Sequence, residues 1–133
     1  MTLDNVIQIC DMDRELSTKD ADELVTLLKR ITFKHKQIED DLFQKQRWLM
    51  LNFVKEEKLK EYDNFVTQNR IRWGRKITRL GCKVFDGGFI GINSGFGYWS
   101  WHLGEDRIEY YHGYDEGPEK RRKLLRRDFA QIR

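Results

Sequence analysis

Leu80-Gly81-Cys82-Lys83-Val84-Phe85-Asp86-Gly87-Gly88-Phe89-Ile90-Gly91-Ile92-Asn93 is the stretch at which the chain changes character. From Ser17 to Leu80 there is no proline and one glycine, Gly74, whereas the last 53 residues hold nine of the ten glycines and the single proline, Pro118. Within the quoted stretch the apolar period falls from 3.6 toward 2: Cys82 and Val84, then Phe89, Ile90 and Ile92, read as strands with glycine bulges or bends. Gly81 stands where a helix C-cap glycine belongs. A helical half is therefore expected to hand over to a sheet half, which is an α+β fold.

Toward the N-terminus, Ser17 with Asp20 three positions on predicts a helix start: the hydroxyl can accept from an orphan N–H, and the carboxylate suits the helix dipole. The apolar stripe that follows runs Leu24, Leu28, Ile31, His35, Ile38, Leu42, Lys45, Leu49, in steps of three and four. A second stripe reads Leu59, Tyr62, Val66, Asn69, Trp73, Ile77, Leu80. One continuous helix would expose both stripes, so a reversal near Leu51 to Glu57 is expected, closing an antiparallel hairpin. No Gly or Pro marks that turn, and a continuous helix paired with a second copy as a coiled coil is the alternative. A monomer and a homodimer through the hairpin both remain open at this level.

Toward the C-terminus, Tyr98-Trp-Ser-Trp-His-Leu103 and Arg107-Ile-Glu-Tyr-Tyr-His112 flank Gly104-Glu-Asp106 and predict a β-hairpin. The expected faces are Trp99, Trp101, Leu103, Ile108, Tyr110 and His112 on one side, and Tyr98, Ser100, His102, Glu109 and Tyr111 on the other. Residues 119–133 are helix-compatible, with Leu124, Leu125, Phe129 and Ile132 as the apolar positions and a dense basic flank. The expected layout is a single domain over 1–133: an N-terminal extension at 1–15, the helical hairpin at 16–80, the sheet at 81–118 and a short basic helix at 119–133.

With 133 residues, 39% hydrophobic and including 17 aromatics, the chain can build one core, and two would compete for apolar surface. Residues 1–66 hold 11 Lys/Arg against 14 Asp/Glu and residues 67–133 hold 14 against 8, so the halves carry −3 and +6. Two cysteines, Cys10 and Cys82, make no disulfide framework and lack metal-motif spacing, which predicts reduced thiols and a cytoplasmic protein. The first 15 residues lack a basic n-region and an unbroken apolar run, so a signal peptide is not expected. No run of about 18 apolar residues occurs, so no membrane span is expected.

The pattern Trp101-His-Leu-Gly104-Glu105, Ile108-Glu-Tyr-Tyr-His112, Asp115-x-Gly117 and Arg121 resembles the bacterial domain-of-unknown-function family numbered 2203. Leu16-Ser17-Thr-Lys-Asp20-Ala21 resembles the opening element of that family's helical hairpin, and Gly81 to Asp86 its Gly-to-Asp segment. The likeness covers roughly residues 16 to 121. It implies a helical hairpin leading into these segments and a bacterial cytoplasmic setting, and it implies no particular activity. Gly88-Phe-Ile-Gly-Ile-Asn93 departs from the family's Gly-Leu-Val-Asp-Phe-Pro stretch, with Gly91 in place of the acid and Asn93 in place of the proline. Ser100 stands where many relatives have cysteine, so a thiol mechanism is not expected of this chain.

On chemistry alone, Asp86, Glu105, His112, Asp115 and Arg121 beside Trp101 and Tyr110 are the candidate ligand-binding cluster. Carboxylates and imidazole are metal-ligand types and can serve acid–base work, but the spacing matches no metal or catalytic motif. No metal, cofactor or catalytic residue is therefore assigned. Turn capping and mutual pairing would equally account for Glu105, Asp115 and Arg121, and core packing for His112. Gly87-Gly88 and Gly95-x-Gly97 lack the context of a phosphate loop. Two basic groups, Arg70, Arg72, Arg75, Lys76, Arg79 and then Lys120, Arg121, Arg122, Lys123, Arg126, Arg127, would form a phosphate-binding stripe if the fold joined them. The expectation is a non-enzymatic interaction or adaptor protein with a protein partner, in which the hairpin supplies an extended helical surface and the sheet, with its aromatic and charged cluster, supplies a recognition site for a protein or anionic ligand. Nucleic-acid binding is the first alternative, and a small hydrolase or metal-dependent enzyme centred on His112 the second.

Overall fold

The computed structural model describes residues 15–52 and 55–125. Helix α1 runs Thr18–Leu51 and α2 Glu56–Arg79. A five-stranded antiparallel sheet follows: β1 Lys83–Phe85, β2 Phe89–Asn93, β3 Tyr98–Trp101, β4 Tyr110–His112 and β5 Arg122–Lys123, each strand beside the next. Among the described residues no helix is long and apolar enough to cross a membrane.

Local chemistry sets the helix ends. Ser17 is extended and its hydroxyl accepts from Asp20 N–H at 3.2 Å, the expected cap. The reversal falls within the predicted window without Gly or Pro. Asn52 ends α1 instead, its backbone N–H and its side-chain amide both donating to Trp48 O, at 3.1 and 2.8 Å. Glu56 and Glu57 then supply the acidic first turn that favours a helix start. Gly81 closes α2 with φ 82° and its N–H donating to Thr78 O, a conformation that a Cβ would strain.

The core sits where the base of the hairpin meets the sheet: Ala21, Val25 and Leu28 of α1 and Ile77 of α2 pack on Cys82, Ile90, Ile92, Trp99, Trp101, Ile108 and Leu124. The apolar stripe of α1 is accordingly buried only at its sheet end. Beyond Leu28 only His35 is buried on α1, and Ile38 is exposed. The two helices are joined by polar ties. His35 Nδ1–H donates to Asn69 Oδ1 at 2.7 Å and Asn69 donates back to His35 O at 2.8 Å. Lys76 donates to His35 Nε2 at 2.9 Å, Trp73 to Thr32, and Gln46 to Asp63.

Two expectations about the sheet half are corrected. The β3–β4 pairing sets Tyr98 opposite His112, Trp99 opposite Tyr111 and Ser100 opposite Tyr110. Directly opposed residues share a face, so Tyr110 and His112 lie with Tyr98 and Ser100, away from the helices, and Tyr111 joins Trp99 and Trp101 on the core side. The ladder also stops at Ser100, and residues 102–109 form a loop rather than strand ends and a tight turn. Residues 119–125 are not helical: Pro118–Lys120 is a single 3₁₀ turn and β5 adds to the sheet, extended by Leu124 N–H donating to Glu109 O at 2.8 Å. Pro118 opens the turn, and burial of Leu124 against the core outweighs the helix propensity of the basic run. Phe129 and Ile132 lie outside the described residues, as do Cys10 and residues 1–14 of the N-terminal extension.

Candidate functional site

The sheet face turned away from the helices carries most of the candidate residues. One row across the strands reads Lys83, Gly91, Ser100, Tyr110, Lys123, and the next reads Asn93, Tyr98, His112. Two aromatic groups stand on it. In the first, the Phe85 ring lies across Gly91 and meets Tyr98 and His112, with ring centroids 5.5 and 5.1 Å away, under the Lys83 ammonium. A Cβ on Gly91 would come 2.7 Å from Phe85, so the glycine is what lets that ring lie down. In the second, Arg121 stacks between Phe89 and Tyr110, at 4.7 and 4.0 Å from the two centroids, and Phe89 leans on His102.

Glu105 organises the 102–109 loop. Its carboxylate receives a two-pronged fork from Arg121, at 3.1 and 2.7 Å, and also accepts His102 N–H at 2.8 Å. Its carbonyl accepts from the indole N–H of Trp101 at 2.8 Å, and the Trp101 ring itself is buried in the core. Asp22 of α1 accepts Ile108 N–H at 2.8 Å, tying the loop to the hairpin. Trp101, Glu105, Tyr110 and Arg121 are thus brought together, but as a support in which the Trp101 indole N–H, the Glu105 carboxylate and the Arg121 guanidinium are already engaged. Trp101 presents no surface to a ligand, because its alternation on β3 faces the helices.

His112 lies on the same face as the other aromatics and is buried. Its Nδ1 is 3.0 Å from Gly113 O, while Nε2 has no hydrogen-bond partner among the described residues, and neither does the buried Ser100 Oγ. The two are not hydrogen-bonded to each other, so they do not form an assembled nucleophile–base pair. Asp86 and Asp115 are exposed on two different turns and join neither group. In the Asp115 turn the residue that does the capping is Glu116: Gly113 N–H and then Arg122 hold its carboxyl below the usual range. Among the described residues no group of three or more His, Cys, Asp or Glu side chains could hold a metal ion. Sequence reasoning missed Lys83, Phe85 and Phe89 as site residues, whose only signal was alternation in a glycine-broken segment too short to fix a face, and it assigned Tyr98 to a face without joining it to the cluster.

The basic groups are not joined. Arg72, Arg75, Lys76 and Arg79 recur at helical spacing near the end of α2, which leads into edge strand β1, while Lys120 and Lys123 lie at the opposite edge, β5. Four strand spacings separate those edges, about 19 Å. Several of the cations are also engaged: Arg70 by Glu39, Lys76 by His35, Arg121 by Glu105 and Arg122 by Glu116. Arg126 and Arg127 lie outside the described residues.

The family profile described as "Uncharacterized conserved protein (DUF2203)" matches residues 14–124, from just before the helix cap to the end of β5. The chain belongs to this family. The match to DUF2203 covers both helices and all five strands, so hairpin and sheet together are what the family profile describes. Comparison with curated proteins and with solved structures returns no match. Of the three positions at which the chain departs from the pattern that it resembles in DUF2203, Gly91 and Ser100 are register partners on the outer face and Asn93 lies on the same face of β2, in the row of Tyr98 and His112.

Proposed function

We propose that this chain is a non-enzymatic interaction protein that docks a protein partner through its helical hairpin. The observation that carries this reading is where the exposed apolar side chains lie. Phe33, Ile38, Trp48, Met50, Leu51, Phe65 and Ile71, all on α1 and α2, make up seven of the ten large hydrophobic residues exposed among the described residues. Two helices can cover only the seam between them, and exposed large apolar side chains concentrated on one element suit a helix-mediated interaction. Ile31, Ile38, Leu42 and Leu49 recur on one side of α1. The His35 contacts to Asn69 and Lys76 bring that side next to Tyr62 and Phe65, which stand at helical spacing from Asn69. A cytoplasmic setting belongs to the same proposal and is supported by Cys82, a buried free thiol.

The test compares proteins captured from a cell extract by the wild-type chain and by Ile38→Ser/Phe65→Ser, a pair on the exposed side of the hairpin. A partner retained by the first and lost by the second, with both equally folded by circular dichroism, is expected. Identical capture would remove the hairpin surface from consideration. Sedimentation equilibrium of the purified chain separates a second copy from a different protein as the occupant.

Nucleic-acid binding is the second reading. It is supported by Arg72, Arg75 and Arg79, exposed on the last turns of α2 without a carboxylate partner among the described residues.

A further inference from the structure

We propose that Ser100 and His112 form the polar end of a binding site for a small planar ring that carries an O–H or ring N–H donor, entered by displacement of the Phe85 side chain. Ser100 is 0% and His112 1% exposed, yet Ser100 Oγ and His112 Nε2 have no protein partner among the described residues. Buried polar atoms are nearly always hydrogen-bonded, because leaving them unpaired forfeits the bonds they made in water. Two such atoms next to each other point to one guest. They are neighbours: His112 is opposite Tyr98 and Ser100 two residues on, so both project from the same face, a diagonal step apart.

The chemistry of the guest follows from His112. A carbonyl oxygen can only accept, so the 3.0 Å contact with Gly113 O places the proton of the neutral ring on Nδ1 and leaves a lone pair on Nε2. The guest must therefore donate to His112. The serine hydroxyl can accept from it or donate to it. A carboxylate has no donor and is a poor match.

Size and shape follow from Phe85. Its ring covers the side-chain-free Gly91, the register partner of Ser100, and touches Tyr98 and His112. Turning Phe85 outward vacates the volume of one six-membered ring, bounded by Tyr98 and the His112 ring. Phe85 ends the three-residue edge strand β1 and is followed by Gly87 and Gly88, both at positive φ, so its displacement breaks the ring contacts with Tyr98 and His112 and the Lys83 contact but opens no inner strand. The proposal is independent of the hairpin reading.

The experiment titrates the full chain at pH 8 with phenol, benzene and benzoate, following the His112 Nε2 resonance and the Ser100 amide by ¹⁵N NMR. Phenol is expected to give saturable shifts at both and to bind about tenfold more tightly than benzene, the worth of one good hydrogen bond, with no binding of benzoate. Phe85→Ala should tighten phenol binding about tenfold by removing the competing ring, and His112→Phe, which has no acceptor, should abolish the preference for phenol over benzene. Equal affinity for phenol and benzene, or phenol binding that leaves His112 Nε2 unmoved, would overturn the proposal and leave an internal water as the partner of both atoms. Should His112→Phe fail to fold, the wild-type phenol-to-benzene comparison and Phe85→Ala decide between the same outcomes.

Discussion

Arg121 lies between two aromatic rings with its fork closed on Glu105, and the two side chains are only 19% and 15% exposed. Lysine keeps the charge but neither the fork nor the flat stacking surface. Arg121→Lys is expected to cost about 2 kcal/mol, the moderate end for a partly buried pair that loses its geometry, read from urea unfolding. A loss within a few tenths of a kcal/mol would show that the fork is a surface ion pair of little weight. Cys82 gives a second prediction at this scale. Burial pushes its thiol up to about 12. A folded-state value above the unfolded one, about 8.5, favours the protonated form on folding. Its contribution is therefore complete below about pH 8.5 and lost as the pH rises toward 12. Stability should fall between pH 9 and 11 by up to about 1.4 kcal/mol per pH unit more in the wild type than in Cys82→Ala. Parallel pH profiles of the two proteins would refute this.

Among the elements, the hairpin is the one whose cohesion does not come mainly from apolar contact. His35 and Asn69 exchange two hydrogen bonds in a buried seam, and Lys76 takes the remaining ring nitrogen. Asn69→Leu alone leaves the Nδ1–H unsatisfied and is expected to cost about 2 kcal/mol, whereas His35→Leu/Asn69→Leu should recover most of it, since an apolar pair suits the seam. A double-mutant cycle by chemical unfolding checks this, and strictly additive losses would show that the two residues act separately. The element most misread from sequence is the C-terminal run. Leu124 and Leu125 scan as apolar positions of a short helix with Arg122 and Lys123 in its basic flank, but Pro118 and the open edge of β4 give the segment a ladder to join. Propensity over so short a span is a weak term beside a free sheet edge and a core position for Leu124.

Over the whole molecule, charge separation decides how nucleic acid would be met. Arg72, Arg75 and Arg79 of α2, without a carboxylate partner among the described residues, lead toward edge strand β1, whereas Lys120 and Lys123 lie at the β5 edge, and the two edges are separated by more than a Debye length at physiological salt. Fluorescence anisotropy with single-stranded RNA should therefore show weak binding with a shallow salt slope, and neutralising Arg72, Arg75 and Arg79 should abolish it while Lys120→Gln/Lys123→Gln has little effect. A steep slope that needs both groups would mean that a partner bridges the two edges, contrary to this picture.

Period, caps and glycine placement are local properties, and they were enough to read two helices, the reversal between them, the Ser17 and Gly81 ends and the change to strand at Cys82. Each rests on contacts within a few residues, such as Ser17 with Asp20 or Gly81 with Thr78. The candidate cluster was legible only as a set of residue types. Which of them face one another depends on strand register, and a shift of one residue exchanges the two faces of a strand. Register is set by pairing across the sheet and by burial of Trp99 and Trp101 against the helices, so only the tertiary structure could turn Tyr110 and His112 outward. The same long-range packing closed Glu105 on Arg121, laid Phe85 over Gly91 and left Ser100 and His112 side by side.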